Sequence, residues 1–285
     1  MNTITKLLVV TAVMLLHVVG AFGQDFQGEA TYKSKRKVDI QLDSTQMDTG
    51  MHQQMIEMLK KQFEKTFILT FNKEASTYKE EESLAPPQPQ GMQMVMVSTG
   101  GSDVLYKNIK EKRYTNQNES FSKVFLIQDS LQDIEWTLEK ETKNIGDYTC
   151  FKATTTRQIE VVESGISVNG DKDLSTDENE APKMKDITIT AWYTPQIPVS
   201  NGPGNYHGLP GLILEVNDGT ETVICSKIII NPKDAMAIEE PKKGKEVSQE
   251  EYDKIMAKKL KEMEERMRSN RRDSDGQNIE IRIGG

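Results

Sequence analysis

Residues 192–230 read WYTPQIPVSNGPGNYHGLPGLILEVNDGTETVICSKIII, and two apolar runs at its end decide the architecture. Runs 212–216 and 222–230 flank Asn217-Asp218-Gly219, a stretch whose glycine accepts the positive φ that a tight hairpin turn demands. The two runs are therefore expected to pair as antiparallel strands. The second run is apolar on both faces, which predicts a central strand covered on each side, by helix on one and by loop, helix or ligand on the other. Upstream, Trp192-Tyr193 ends a further strand. Pro195, Pro198 and Pro203 then impose an extended, non-helical excursion, because proline fixes φ and restricts the residue before it. Pro210-Gly211 suits the centre of a type II turn that returns the chain to the sheet.

Working outward, short alternating segments recur at 26–34, 67–71, 75–79, 103–108, 112–117 and 122–127, each read as a strand. The segments 134–141 and 147–159 are joined through Asn144-Ile145-Gly146 as a hairpin, with Ile134, Trp136 and Leu138 expected on one half-buried face. Helical spacing appears twice. Met47, Met51, Met55, Met58, Leu59 and Phe63 share a face, as do Tyr252, Ile255, Met256, Leu260, Met263 and Met267. Ser248 and Glu251 supply a capping box for the second of these helices, expected over 248–268.

Chemistry-bearing residues are sparse. The methionine face with His52 beside it raises a soft-metal reading, since thioethers suit Cu(I). His52 falls about 100° from Met51 on the helical wheel, which favours methionine as core filler. No Cys or His spacing of a zinc site occurs, and no cofactor-binding signature is present. Asp171, Asp173 and Asp177 resemble a calcium loop until Thr176 and Pro182 occupy the glycine and glutamate positions. His207, Cys225 and Glu215 form a conceivable nucleophilic triad, weakened by the placement of Cys225 in a buried strand. No catalytic residue is assigned and an enzyme is disfavoured. Cys150 and Cys225 are compatible with one disulfide or with two buried thiols.

The N-terminus carries Lys6 followed by the apolar run 7–19 and Ala21-Phe22-Gly23, the pattern of a cleaved secretory leader over 1–23. The run is shorter than a membrane span, and no comparable segment follows it. No lipid-attachment cysteine stands at the cleavage point, so a periplasmic or secreted protein is expected. Losing Lys6 takes the formal charge from −8 to −9, an acidic balance that argues against nucleic acid as partner. Residues 24–270 are read as one domain bearing an acidic loop near 162–186, and 271–285 as a flexible tail.

Gly208-Leu209-Pro210-Gly211-Leu212-Ile213 spells GLPGLI. With Trp192-Tyr193-Thr194-Pro195, Ile197-Pro198-Val199, Gly202-Pro203, Trp136 and Tyr148-Thr149-Cys150, it resembles the GLPGLI family of exported bacterial proteins. That resemblance implies an α+β fold, mainly antiparallel: a large curved sheet, half-barrel-like as in periplasmic lipoprotein carriers, with a few packed helices. It carries no catalytic residues over. The functional expectation is a non-catalytic envelope protein that binds a hydrophobic small molecule, a peptide or an outer-membrane receptor component. An envelope hydrolase and a copper-handling protein are the alternatives. Trp192, Tyr193, Tyr206, His207, Leu209 and Pro210 are the candidate ligand contacts, with plugging of the sheet edge as the structural alternative.

Overall fold

A computed structural model describes residues 26–37, 64–81, 103–161, 165–166, 183–234, 236–271 and 281–282. The expected methionine helix at 47–63, the run with Met92, Met94 and Met96, the leader and most of the acidic loop lie outside these residues.

Twelve strands form one sheet: β1 (Gln27–Arg36), β2 (Glu64–Asn72), β3 (Ala75–Glu80), β4 (Val104–Asn108), β5 (Arg113–Ser120), β6 (Lys123–Ser130), β7 (Thr137–Ile145), β8 (Tyr148–Val161), β10 (Lys183–Thr194), β11 (Leu212–Asn217), β12 (Glu221–Ile230) and β13 (Lys245–Val247). The short strands β9 (Gly165–Ile166) and β14 (Ile281–Arg282) pair separately. The spatial order is β13-β6-β5-β4-β3-β2-β1-β12-β11-β10-β8-β7. Every pairing is antiparallel except β13 with β6, which makes the sheet mixed. The one helix among the described residues is α1 (Gln249–Arg271).

This corrects the expected α+β class: the described residues are nearly all sheet, an open mixed sheet with one helix and no layer of packed helices among them. The period-2 segments were legible, and several continue further than their apolar cores suggested. β10 begins at Lys183, inside the acidic run, because KMKDITIT pairs residue by residue with the long β8. Ile134 and Trp136 are half-buried and Trp136 packs on the second cluster described below, but Trp136 precedes β7 and Leu138 is 57% exposed, so it leaves that face.

Connectivity shows that the sheet curls. β6 and β7 stand ten strand spacings apart, about 48 Å if the sheet were flat. Yet only residues 131–136 join them, a link that reaches about 25 Å when fully extended. Two bulges add to the local twist. Thr31 pairs with Lys227 and Tyr32 with Cys225, leaving Ser226 extra. Trp192 pairs with Glu215 and Tyr193 with Ile213, leaving Leu214 extra.

The inner face carries Ala30, Tyr32, Leu69, Phe71, Cys150, Leu212, Leu214 and Cys225. A second cluster, with Ala153, Ile189, Ala191, Tyr193, Ile213 and Val216, lies on the opposite side of β11. Strand β11 is thus buried on both faces, while β12 leaves Ile224 and Lys227 exposed on its outer face. Helix α1 opens with the expected capping box, Ser248 N–H to Glu251 Oε2 at 2.9 Å and Glu251 N–H to Ser248 Oγ at 3.2 Å. It sets Tyr252 and Ile255 against Phe125, Ile127 and Val247.

The return into β11 differs from the expected type II turn. Gly211 N–H donates to Leu209 C=O at 2.8 Å, the i to i+2 bond of a γ-turn centred on Pro210. A Cβ at Gly211 would stand 2.2 Å from the Thr194 carbonyl oxygen, and the backbone offers no room to yield. Gly211→Ala is expected to destabilise the protein by about 2 kcal/mol or more, read as a lowered denaturant midpoint in urea. An unchanged midpoint would show that the turn relaxes without cost.

Candidate functional site

The excursion over 195–211 is a built element. Leu212 N–H donates to Ile197 C=O and Ile213 N–H to Asn201 C=O, both at 2.9 Å, so the excursion lies alongside the start of β11. Asn201 and His207 form an isolated antiparallel bridge. Ile197 and Val199, each 2% exposed, enter the inner core, while Leu209 and Tyr206 pack into the second cluster. Gly202 permits this approach, since a Cβ there would lie 2.8 Å from Ile213 Cβ.

Lys107, from β4, anchors the excursion. It is fully buried, and its ammonium donates to Gly202 C=O at 2.8 Å and Tyr206 C=O at 3.2 Å. No carboxylate among the described residues pairs with it. Burial pushes its pKa down to about 7, while the two carbonyl acceptors act in the opposite direction by solvating the charged form. Ser76, its cross-strand neighbour on β3, is also fully buried, and its Oγ has no hydrogen-bond partner; nor does Asn201 Nδ2. Other contacts complete the frame. Tyr32 Oη donates to Ile213 C=O at 2.7 Å, and Trp136 Nε1–H to His207 C=O at 2.8 Å.

Of the six residues singled out in the sequence, Tyr193, Leu209 and Tyr206 pack in the second cluster and Trp192 packs against the inner one. Tyr193, His207 and Leu209 are buried, Tyr206 is half-buried and stacked at a tilt against Trp136, and Pro210 is exposed. Trp192 is half-buried under the Lys143 ammonium, 4.4 Å from its ring centroid, and Lys143 also pairs with Glu215 at 2.7 Å. Sequence reasoning missed Lys107. A lysine in a period-2 segment looks solvated, and only the register reveals that it shares the inner face with Phe71 and Ser76.

The conceivable triad is not assembled. His207 Nδ1 bonds Asn205 C=O at 2.9 Å, Glu215 is held by Lys143, and burial raises the Cys225 thiol to about 12. Burial likewise raises Cys150 to about 11. Both cysteines are buried free thiols within one core cluster. Among the described residues no group of three His, Cys, Asp or Glu could hold a metal, and no helix is long and apolar enough to cross a membrane.

An open cleft of about 490 Å³ lies on the outer face, between Glu29, Ile68, Thr70 and Lys79 of the sheet and a strap with residues 232–234 and 236–237. The strap is tied down further along. Arg113 grips Glu240 through Nη1 and Nη2 at 2.5 and 3.0 Å, and Thr115 Oγ1 donates to the same carboxylate at 2.5 Å. None of the six predicted contacts borders this cleft.

Residues 136–215 match the model of a family described as a protein of unknown function (Porph_ging). The matched stretch begins at Trp136 and ends at Glu215, so it holds the excursion and much of its frame, while Lys107 lies outside it. No curated protein matches the chain. Two solved structures of PNGF-II, in space groups C2 and P21, are similar at 16% and 15% identity with TM-scores of 0.46 and 0.45. They cover 82% and 80% of this chain and 33% and 32% of their own. The chain thus spans about a third of their length, and likeness at this level decides nothing about function.

Two outcomes check the site. Tyr32→Phe removes the donor to Ile213 C=O and is expected to cost about 1–2 kcal/mol, measured by urea unfolding against the wild type. For the cysteines, burial and the raised thiol pKa values predict no reaction with Ellman's reagent in the native protein at pH 8 and two equivalents in guanidinium. Rapid native labelling would contradict the burial, and zero equivalents when denatured would indicate a disulfide.

Proposed function

We propose that the protein is an exported, non-catalytic member of the GLPGLI family that acts in the cell envelope. In this reading it binds a peptide segment of an envelope partner on its outer surface. The carrying observation is where space lies. The inner face, where a carrier of hydrophobic molecules would hold its cargo, is occupied by Ile197 and Val199 of the chain itself. The open cleft is outside, and its volume falls in the range of ligand sites.

The lining suits a peptide better than a lipid. Ile68, Pro232, Met236 and Ala237 supply apolar surface, while Glu29, Asp234, Lys79 and Lys233 offer both signs of charge. Apolar walls bind side chains, and paired charges recognise the polar groups of a peptide. The leader over 1–23 and the GLPGLI motif support export and the family reading. The absence of an assembled triad among the described residues leaves the hydrolase alternative without a supporting contact.

The test has two arms. Native mass spectrometry of protein isolated from its own envelope is expected to show no retained apolar molecule; a stoichiometric lipid adduct would overturn the surface reading in favour of a carrier. A randomised peptide library is expected to yield binders whose affinity falls at least tenfold in Met236→Glu, a substitution at the cleft wall. Failure to select any peptide, or binders indifferent to that substitution, would overturn the cleft assignment.

A further inference from the structure

The Lys107 node contains two buried groups in uneasy positions. A primary amine sits fully out of water without a carboxylate, and the carboxamide nitrogen of Asn201, a residue 1% exposed, has no hydrogen-bond partner. Both side chains converge on Gly202: Lys107 Nζ donates to its carbonyl at 2.8 Å, and its N–H donates to Asn201 Oδ1 at 2.9 Å. We propose that Lys107 and Asn201 join through an intramolecular isopeptide bond that fastens the excursion covalently to β4.

The chemistry balances without a co-reactant. The neutral amine of Lys107 attacks Cγ of Asn201. A proton passes from Nζ to the departing carboxamide nitrogen, the Cγ–Nδ2 bond breaks, and one ammonia leaves as the Nζ–Cγ amide forms. The low pKa of the buried amine makes its nucleophilic form accessible near neutral pH. His207, whose backbone bridges to Asn201 and whose imidazole feels the Lys107 charge, is assigned the proton relay in this proposal. Its Nδ1–H donates to Asn205 C=O, which leaves Nε2 unprotonated as the base. Burial keeps this imidazole neutral by lowering its pKa; Lys107 and Lys112 act in the same sense, and Asp133 opposes them.

The product would relieve both anomalies. The amine ceases to be a buried cation, and the unpartnered NH₂ leaves as ammonia. The new amide N–H retains one donor for the carbonyl of Gly202 or Tyr206. Burying an unpaired charge or an unsatisfied donor is costly, so the fold itself favours the linked form.

Intact-mass measurement of the folded mature chain, its N-terminus fixed by sequencing, tests this directly. The expected mass is lower than that of the sequence by one ammonia, and proteolysis is expected to release a branched peptide containing both residues. Lys107→Met and Asn201→Ala should each restore the full mass. A wild-type chain at its full sequence mass overturns the proposal. So does an ammonia loss that persists in Lys107→Met, because Asn201-Gly202 could then have closed to a succinimide on its own backbone nitrogen.

A second readout follows from the amine. In Asn201→Ala it survives and titrates, with a folded pKa near 7 against an unfolded value near 10.4. Between those values the unfolded chain binds more protons, so stability should rise with pH across that window, the penalty being full below about pH 7. The linked wild type lacks this contribution. Equal pH dependence in wild type and variant would count against the bond.

Discussion

Lys107 reaches from the fourth strand to two carbonyls of an excursion that begins on the tenth. A curled sheet must fill its own interior, and this contact fixes what does the filling. Were the excursion to lift away, Ile197, Val199 and Leu209 would return to water together, and each apolar side chain of that size gains roughly 1.5–3 kcal/mol from burial. The amine thus holds a hydrophobic plug in place while contributing no apolar surface of its own at its tip. Lysine suits this geometry because its stem is long and its head offers several donors to the two excursion carbonyls.

The same constraint accounts for the departures from regular pairing. β11 bonds β12 only over its last three residues, Glu215 to Asn217. Nearer its start, the ladder is replaced by Tyr32 Oη on the Ile213 carbonyl and by the Asn201 carbonyl on the Ile213 amide. The backbone groups freed by opening the sheet are therefore satisfied by the excursion, as buried peptide groups must be. Alternation along β11 puts Leu212 and Leu214 in one cluster and Ile213 in the other, and the bulge at Leu214 shifts the phase so that Val216 joins Ile213.

Much of this was readable from the residues, and the failures have physical causes. Turn chemistry located two hairpins: Asn217 folds its side chain onto the Gly219 amide, and Gly146 takes the positive φ between β7 and β8, both local effects. The capping box of α1 was equally local. What spacing could not reveal was the mixed sheet without packed helices. β13 pairs with β6 through a contact more than a hundred residues distant in sequence, and its three residues carry no periodic signal. Trp192, Tyr193, Tyr206, His207, Leu209 and Pro210 stand out by residue type, yet aromatic and proline content cannot tell a ligand rim from a plug. Burial distinguishes them, and burial depends on curl. Lys107 was invisible for the same reason, since either face of β4 could have pointed inward.

The family match over residues 136–215 acquires a physical meaning from this arrangement. It contains the excursion, the indole that bonds the His207 carbonyl, and the strands β10 and β8 beneath. Within those limits, however, Gly202 and Tyr206 have carbonyls that point at a donor supplied from β4. The matched stretch is therefore not self-sufficient: with β1 to β6 removed, Ile197 and Val199 would lose Ala30, Tyr32, Leu69 and Phe71 as neighbours in the inner cluster. A piece limited to 136–215 would expose an apolar face and two unpartnered carbonyls. The excursion and β1 to β4 therefore depend on each other, since each supplies part of the inner cluster and Lys107 ties the two together.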